Sequence, residues 1–405
     1  MVTLRDNIVK GNSASGGGGL VATAGTIVLS GNTFEANKGI VVRVEGAEAR
    51  LTGNTFKNNP SETVVALFQS TASLRNNTFQ DNSGRGLYFG ATGEIIQNSF
   101  RNNRGGGVRL GSWDLDFSGN VLQGNSAHFG GGLYIQGHTS ATIHDNIFTG
   151  NSATQGGGFF IDGVPTISPP AITLSHNLFE GNSATESGGG GVAAMGTYTI
   201  TGNIFEGNTS GGSGGGLVLN PAGFGGVASA TLLGNTFRRN SAAQGGGLKI
   251  GGRNITMGEN LILANSASSS GSGIYFKDTT IRAKNDIIAN NVTSWEAVHL
   301  SDSTLNARHW TLADNGNYAL STAGSSTAIL SNTLVAYQDL AGLWGPGISA
   351  DHTLFAATGI SCGGGASCTN SLTGNPRFIN PGSGDYHIGP DSACLLYTSD
   401  AADDN

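Results

Sequence analysis

Charge is what this sequence has least of. Asp, Glu, Lys and Arg make up 12% of its 405 residues, against about 25% in an ordinary soluble domain. The small excess is acidic, a net −7, so no basic footprint for nucleic acid is present. No stretch approaches the ~18 unbroken apolar residues of a membrane-crossing helix. Cysteine is scarce, with three in all. What is abundant is glycine, 67 residues, and asparagine, 38. Glycine at about one residue in six is far too sparse for the one-in-three period of collagen. A 37% hydrophobic content with low charge can bury a core, which argues against disorder.

The Asn excess is periodic. An anchor Asn recurs at 7, 32, 54, 77, 98, 120, 146, 177, 203, 235, 260 and 285. A second Asn follows each one five residues later, at 12, 37, 59, 82, 103, 125, 151, 182, 208, 240, 265 and 290. The residue two after the anchor is always apolar and in eight units is Phe, as in Phe34, Phe56 and Phe79. The residue three before the anchor is apolar in the first eleven units, from Leu4 to Met257. Anchors are 21 to 32 residues apart. Weaker copies near His309, Asn332 and His352 bring the count to about fifteen.

Apolar residues alternate within each unit, a strand period and not a helix period, and Gly runs with paired Asn supply turns. Three short strands and three turns per unit cannot bury an apolar face alone, but a stack can. The expected fold is all-β: a right-handed parallel β-helix of about 15 coils, handed by the usual crossover rule. Fifteen coils at strand spacing make a monomeric rod roughly 70 Å long. Stacking also explains the missing charge, because a ladder of like charges about 5 Å apart costs nearly 1 kcal/mol per step even in water. Asn32, Asn37, Asn54, Asn59, Asn77 and Asn82 are expected to form amide ladders beside a Phe34, Phe56, Phe79 stack.

Phe148 to Asn151 followed by Gly156-Gly157-Gly158-Phe159 resembles the repeats of bacterial polymorphic outer-membrane proteins. More broadly, residues 3–355 look like the right-handed β-helix, pectate-lyase-like superfamily. The segment Asn375-Pro376-Arg377-Phe378-Ile379-Asn380-Pro381 through Gly384-Asp385-Tyr386-His387-Ile388 is similar to the closing segment of secreted bacterial β-helix proteins. The expected organisation is a β-helix over 1–355 lacking its N-terminal cap, a closing coil over 356–393, and a non-native tail over 394–405. Thr3-Leu4-Arg5 already leads into the first anchor, so a leader is expected to lie upstream. Cys394 to Asp404 resembles a translated sequencing-library adapter, which implies a gene fragment. Without Cys394, Cys362 and Cys368 remain, close enough in sequence for a loop disulfide suited to an oxidising compartment.

Strand parity places an outward column after the Gly runs: Tyr88, Arg109, Tyr134, Phe160, Ala193, Val218, Lys249, Tyr275 and His299. Tyr88, Arg109, Tyr134 and Phe160, with Gln136 and Asp162 beside them, suit a polysaccharide: rings lie on sugar faces and Arg grips carboxylates. Catalytic residues are not legible; the weak candidates are Glu94, Asp114, Asp116 and His144, acids on neighbouring coils that can share a proton or a cation. The His residues are scattered and no metal site is expected. Pectate-lyase-like enzymes use clustered acidic calcium ligands with an Arg or Lys base, so calcium is expected only if this chain is such an enzyme. The functional reading is a secreted or bacterial cell-surface β-helix, adhesin-like or passenger-like, that contacts polysaccharide or a surface glycan and not nucleic acid. The alternative is a polysaccharide lyase or glycoside hydrolase.

Overall fold

The computed structural model describes residues 1–14, 16–111, 115–137, 140–163, 171–220, 229–292 and 295–393. These form two compact units: Met1–Gly211 with Asn220–Ala228, and Gly212–Leu219 with Ser229–Asn405. Both consist of short parallel strands, each pairing with its counterpart one coil away. The expected tail over 394–405 lies outside the described residues.

In the first unit a leading strand, an anchor strand and a trailing strand follow one another, for example Thr26–Ser30, Thr33–Glu35 and Val42–Glu45; in Thr63–Arg75 and Arg85–Ile96 a trailing strand runs straight into the next leading strand. Nine anchor strands stack from Ile8–Lys10 to Ile204–Glu206. Pairing is in register, Phe34 to Phe56 to Phe79 to Phe100. Those four rings lie inside, stacked 4.7–4.9 Å apart and nearly parallel, and are fully buried. Burying a ring of this size is worth about 2–3 kcal/mol each.

Corners are built from two adjacent residues. The first takes a left-handed conformation, as at Gly31, Gly53, Asn76 and Gln97 before the anchors. Ala36, Asn58, Asp81 and Asn102 do the same before the second Asn. The Asn itself then points inward. Asn54 Oδ1 accepts from the Asn32 backbone N–H and Nδ2, both at 3.0 Å, and Asn32 Nδ2 donates to Leu4 O at 2.9 Å. The ladder repeats through Asn77 and Asn98, and a second runs through Asn37, Asn59 and Asn82. A corner would otherwise bury unpaired peptide groups at about 1–3 kcal/mol each; the side-chain amide satisfies them.

A fourth strand that parity reasoning did not foresee enters at Ser126–Phe129 and continues in Ser152–Gln155, Ser183–Ser187 and Thr209–Ser210. Its mark in the sequence is Ser-Ala directly after the second Asn, at Ser126-Ala127, Ser152-Ala153 and Ser183-Ala184.

The second unit stacks seven anchor strands, Thr236–Arg238 to Leu372–Thr373, so parallel pairing continues past residue 355. One expectation is corrected here. Asn285 and Asn290 are the left-handed residues (φ 61° and 55°), and Asp286 and Asn291 occupy the ladders. The sequence did carry the warning: three residues before Asn285 stands Arg282, the only polar residue at that offset among the twelve anchors. His309, Asn332 and His352 are likewise corner residues, and Trp310, Thr333 and Thr353 point inward. The closing segment forms an antiparallel pair, Phe378–Asn380 with Asp385–Ile388. Tyr386 packs into a shallow trough made by Ala289, Ala313, Ala336 and Ala356 at the ends of successive anchor strands. Its hydroxyl donates to Asp314 at 3.0 Å. Cys362 and Cys368 form a disulfide, with Cα atoms 6.4 Å apart. Among the described residues no helix is long and apolar enough to cross a membrane.

Candidate functional site

Inward-facing neighbours fix the outward column in the first unit. Leu87, Val108 and Leu133 stack on one side of it, Phe89, Leu110 and Ile135 on the other, all buried. The residue between them must point out. Tyr88 pairs with Arg109, Arg109 with Tyr134, and Tyr134 with Phe160.

The Arg109 guanidinium lies between two rings, 5.9 Å from the Tyr88 centroid and 5.2 Å from that of Tyr134, within cation–π range. One amino group donates to Gln136 Oε1, whereas Nε is buried with no hydrogen-bond partner. Tyr134 donates its hydroxyl to Asp162 Oδ2 at 3.2 Å. Burial and the Asp162 charge push the Tyr134 phenol up to about 12, so it stays a neutral donor at physiological pH.

Phe160 departs from expectation. It is 0% exposed, covered by Phe129 with ring centroids 4.9 Å apart. Phe129 comes from the unforeseen fourth strand, which is why parity placed the ring outward but missed its cover. In the next coil Val192, not Ala193, continues the column. The aromatic face therefore comprises the half-buried Tyr88 and Tyr134, with Phe129 at its rim and Phe68 tilted against Tyr88 at 5.1 Å.

Beside this face opens a cavity of about 260 Å³ that Arg85, Arg104, Arg109, His128, Phe129 and Tyr134 line. Neither Arg85 nor Arg104 belongs to the predicted column: Arg85 opens the strand Arg85–Ile96, opposite Thr63, and Arg104 lies in a turn, where strand parity has no meaning. Gly105 allows the convergence: a Cβ there would lie 2.6 Å from the Arg85 backbone nitrogen. Burial, then the neighbouring Arg109 charge, pull the Arg85 guanidinium below its usual range. Among the described residues no carboxylate forms an ion pair with any of the three.

The acidic candidates are arranged differently. Glu94 and Asp116 do pair on adjacent coils. Glu94, however, is held by Arg75 Nη2 at 2.5 Å and Ser73 Oγ at 2.6 Å. Arg75 first, then Ser73, keep its carboxyl below the usual range, which suits a fixed carboxylate and not a proton donor. Asp116 Oδ1 lies 3.2 Å from His144 Nε2, and His144 Nδ1 is 2.7 Å from Asp145. Asp114 lies outside the described residues. Among the described residues no three His, Cys, Asp or Glu side chains cluster as metal ligands do. A larger cavity of about 370 Å³ in the second unit is lined by residues such as Tyr337, Phe355, Thr358 and Asn375, none charged.

No curated protein gives a significant match to the chain. The family described as right handed beta helix region matches over residues 1–148, 63–220 and 131–295, which together span most of the chain. Its handedness is the one expected from the crossover rule. By this match, by its stacked parallel coils and by its paired Asn ladders, the chain belongs to the right-handed β-helix family.

Proposed function

We propose that this β-helix is a secreted or cell-surface protein that binds glycans through the Tyr88–Arg109–Tyr134 face. One observation carries the reading: two half-buried tyrosines, one on each of the coils flanking Arg109, hold its guanidinium between their rings. Such a face offers flat apolar surface with fixed polar donors at its edge, the combination that ring-shaped polyols require. Retention on immobilised polysaccharides tests it. Tyr134→Ala and Tyr88→Ala should each weaken retention about tenfold, roughly the loss of one aromatic contact. Unchanged retention in the double variant would overturn the reading.

The second reading is a polysaccharide lyase or glycoside hydrolase, favoured by the 3.2 Å contact between Asp116 and His144. Depolymerisation of anionic polysaccharides, with calcium present and absent, separates the two. Product release that Asp116→Asn abolishes would favour the enzyme; retention without product favours binding.

A further inference from the structure

We infer that the cavity beside the aromatic face is a seat for a tetrahedral oxyanion ester, a phosphate or sulfate group carried by the bound glycan. For the carrier this rests on the glycan reading above; for the anion it rests on the cavity alone.

Arg85, Arg104 and Arg109 come from two successive coils and line one cavity of about 260 Å³. They are three of only 20 Lys and Arg in a chain of net charge −7. Arg85 is half-buried and Arg104 exposed at the mouth, and none of the three is paired with an acid among the described residues. Burial first, and the neighbouring Arg109 charge second, disfavour the charged form of Arg85, a cost that a bound anion would offset. The polar N–H of Arg109 Nε is buried and unpartnered, a cost that an acceptor oxygen would relieve. His128 lines the same cavity, and its Nδ1 is within 2.9 Å of Thr154 Oγ1.

Anion geometry decides the class. A carboxylate is planar, has two oxygens and one charge, and is satisfied by one bidentate guanidinium. A phosphate or sulfate ester presents three free oxygens arranged as a tripod, and a phosphate ester carries −1.5 to −2 charges at neutral pH. Arg85, Arg104 and Arg109, lining one cavity from two coils, supply more donors than the two oxygens of a carboxylate can use. The Tyr88 and Tyr134 rings next to the cavity give the sugar that bears the ester its resting surface.

Calorimetric titration tests the assignment. Four oligosaccharides of equal length serve as probes: sulfated, phosphorylated, uronate and neutral. Inorganic phosphate is the fifth. The sulfated or phosphorylated chain should bind roughly tenfold or more tightly than the uronate chain, with the two ester arms identifying the source. Arg104→Gln, at an exposed position that leaves folding intact, should remove that preference while neutral-chain binding stays as it was; Arg85→Gln should act alike. Equal affinity for uronate and ester chains, or an ester preference that survives Arg104→Gln, would overturn the assignment. The two readings fail separately. Phosphate binding that Arg104→Gln abolishes, with no oligosaccharide bound, keeps the anion seat and sinks the glycan carrier. Neutral-chain binding lost in Tyr134→Ala, with no ester preference in the wild type, keeps the glycan face and sinks the seat.

Discussion

The same column is furnished in opposite ways in the two units. In the first, Arg109 stands between Tyr88 and Tyr134, with Arg85 and Arg104 close by and no acid among the described residues paired to any of them. In the second, Lys249 stands beside Tyr275, 5.3 Å from its ring, followed by His299 stacked on Tyr275 at 5.2 Å. There the ammonium donates to Ser213 at 3.0 Å and Gln244 at 3.1 Å, and His299 lies 3.2 Å from Glu296. Tyr275 is buried. One column has its ring buried and its cation held by two neutral acceptors; the other has half-buried rings and an Arg109 Nε left without an acceptor. The same strand pairing thus yields a column covered within the fold in one unit and the proposed binding face in the other, because the side chains that surround it differ.

The ladders differ in the same direction. In the first unit the amide ladders run without substitution from Asn32 to Asn177 and from Asn37 to Asn182. In the second the first ladder degrades from Asn260 to Asp286, Trp310, Thr333 and Thr353, and Thr353 Oγ1 is buried without a partner. The Phe stack gives way to Ile262, Ile288, Leu312 and Val335.

The sharpest way to break this comparison is to delete one rung from each ladder. Asn77 donates to Leu51 O, Arg75 O and Asn98 Oδ1 and accepts twice from Asn54, all between 2.8 and 3.1 Å. Asn77→Ala should cost about 3–5 kcal/mol, since several buried groups lose their partners together. Thr333 makes one 3.3 Å bond to Ser331 O, so Thr333→Ala should cost about 1 kcal/mol. Urea denaturation of both variants checks the contrast; equal losses would mean the amide ladder is not what distinguishes the units.

Next in size is a pH effect confined to the second unit. Burial raises the Asp286 carboxyl from 3.8 to about 6, against bonds from Asn260 and Trp310 that pull it down. Below pH 3.8 the group is protonated in both the folded and unfolded chain. As pH rises to 6 the unfolded chain ionises first, so the fold loses up to about 3 kcal/mol over that window. Asp286→Asn should flatten this slope in denaturation midpoints measured from pH 4 to 7. A slope that persists in the variant would assign it to another group.

The smallest expected effect is the most telling about function. Tyr275→Ala, in the satisfied column, should leave glycan retention unchanged where Tyr134→Ala lowers it about tenfold. Equal losses would make both columns one binding surface and remove the distinction between them.

How much could be read in advance follows from which residues obey a period. The Phe34–Phe56–Phe79 stack and the Asn rungs were legible because every coil repeats them. Arg109 between Tyr88 and Tyr134 was legible because strand parity alternates strictly. Phe160 was misjudged, since its cover, Phe129, sits on a strand that only some coils possess. Arg85 and Arg104 lie outside the predicted column, one at the first residue of its strand and the other in a turn, and neither position repeats from coil to coil. Asn285 was taken for a rung because both residues of the corner there, Asn285 and Asp286, have ladder-like side chains, and only Arg282 three places earlier marked the slip.

The sequence by itself determined the fold: a repeat whose units cannot close alone must stack, and stacking demands inward amides at the corners, aligned rings and little charge. Only the tertiary structure decided where that scaffold becomes a site. Stacking brings residues some twenty positions apart onto neighbouring rungs, and the path of each turn, set by glycine contacts such as that of Gly105, decides which turn side chains meet. Periodicity fixes what repeats. The arginine cavity exists because a strand start and a turn that do not repeat meet on successive coils.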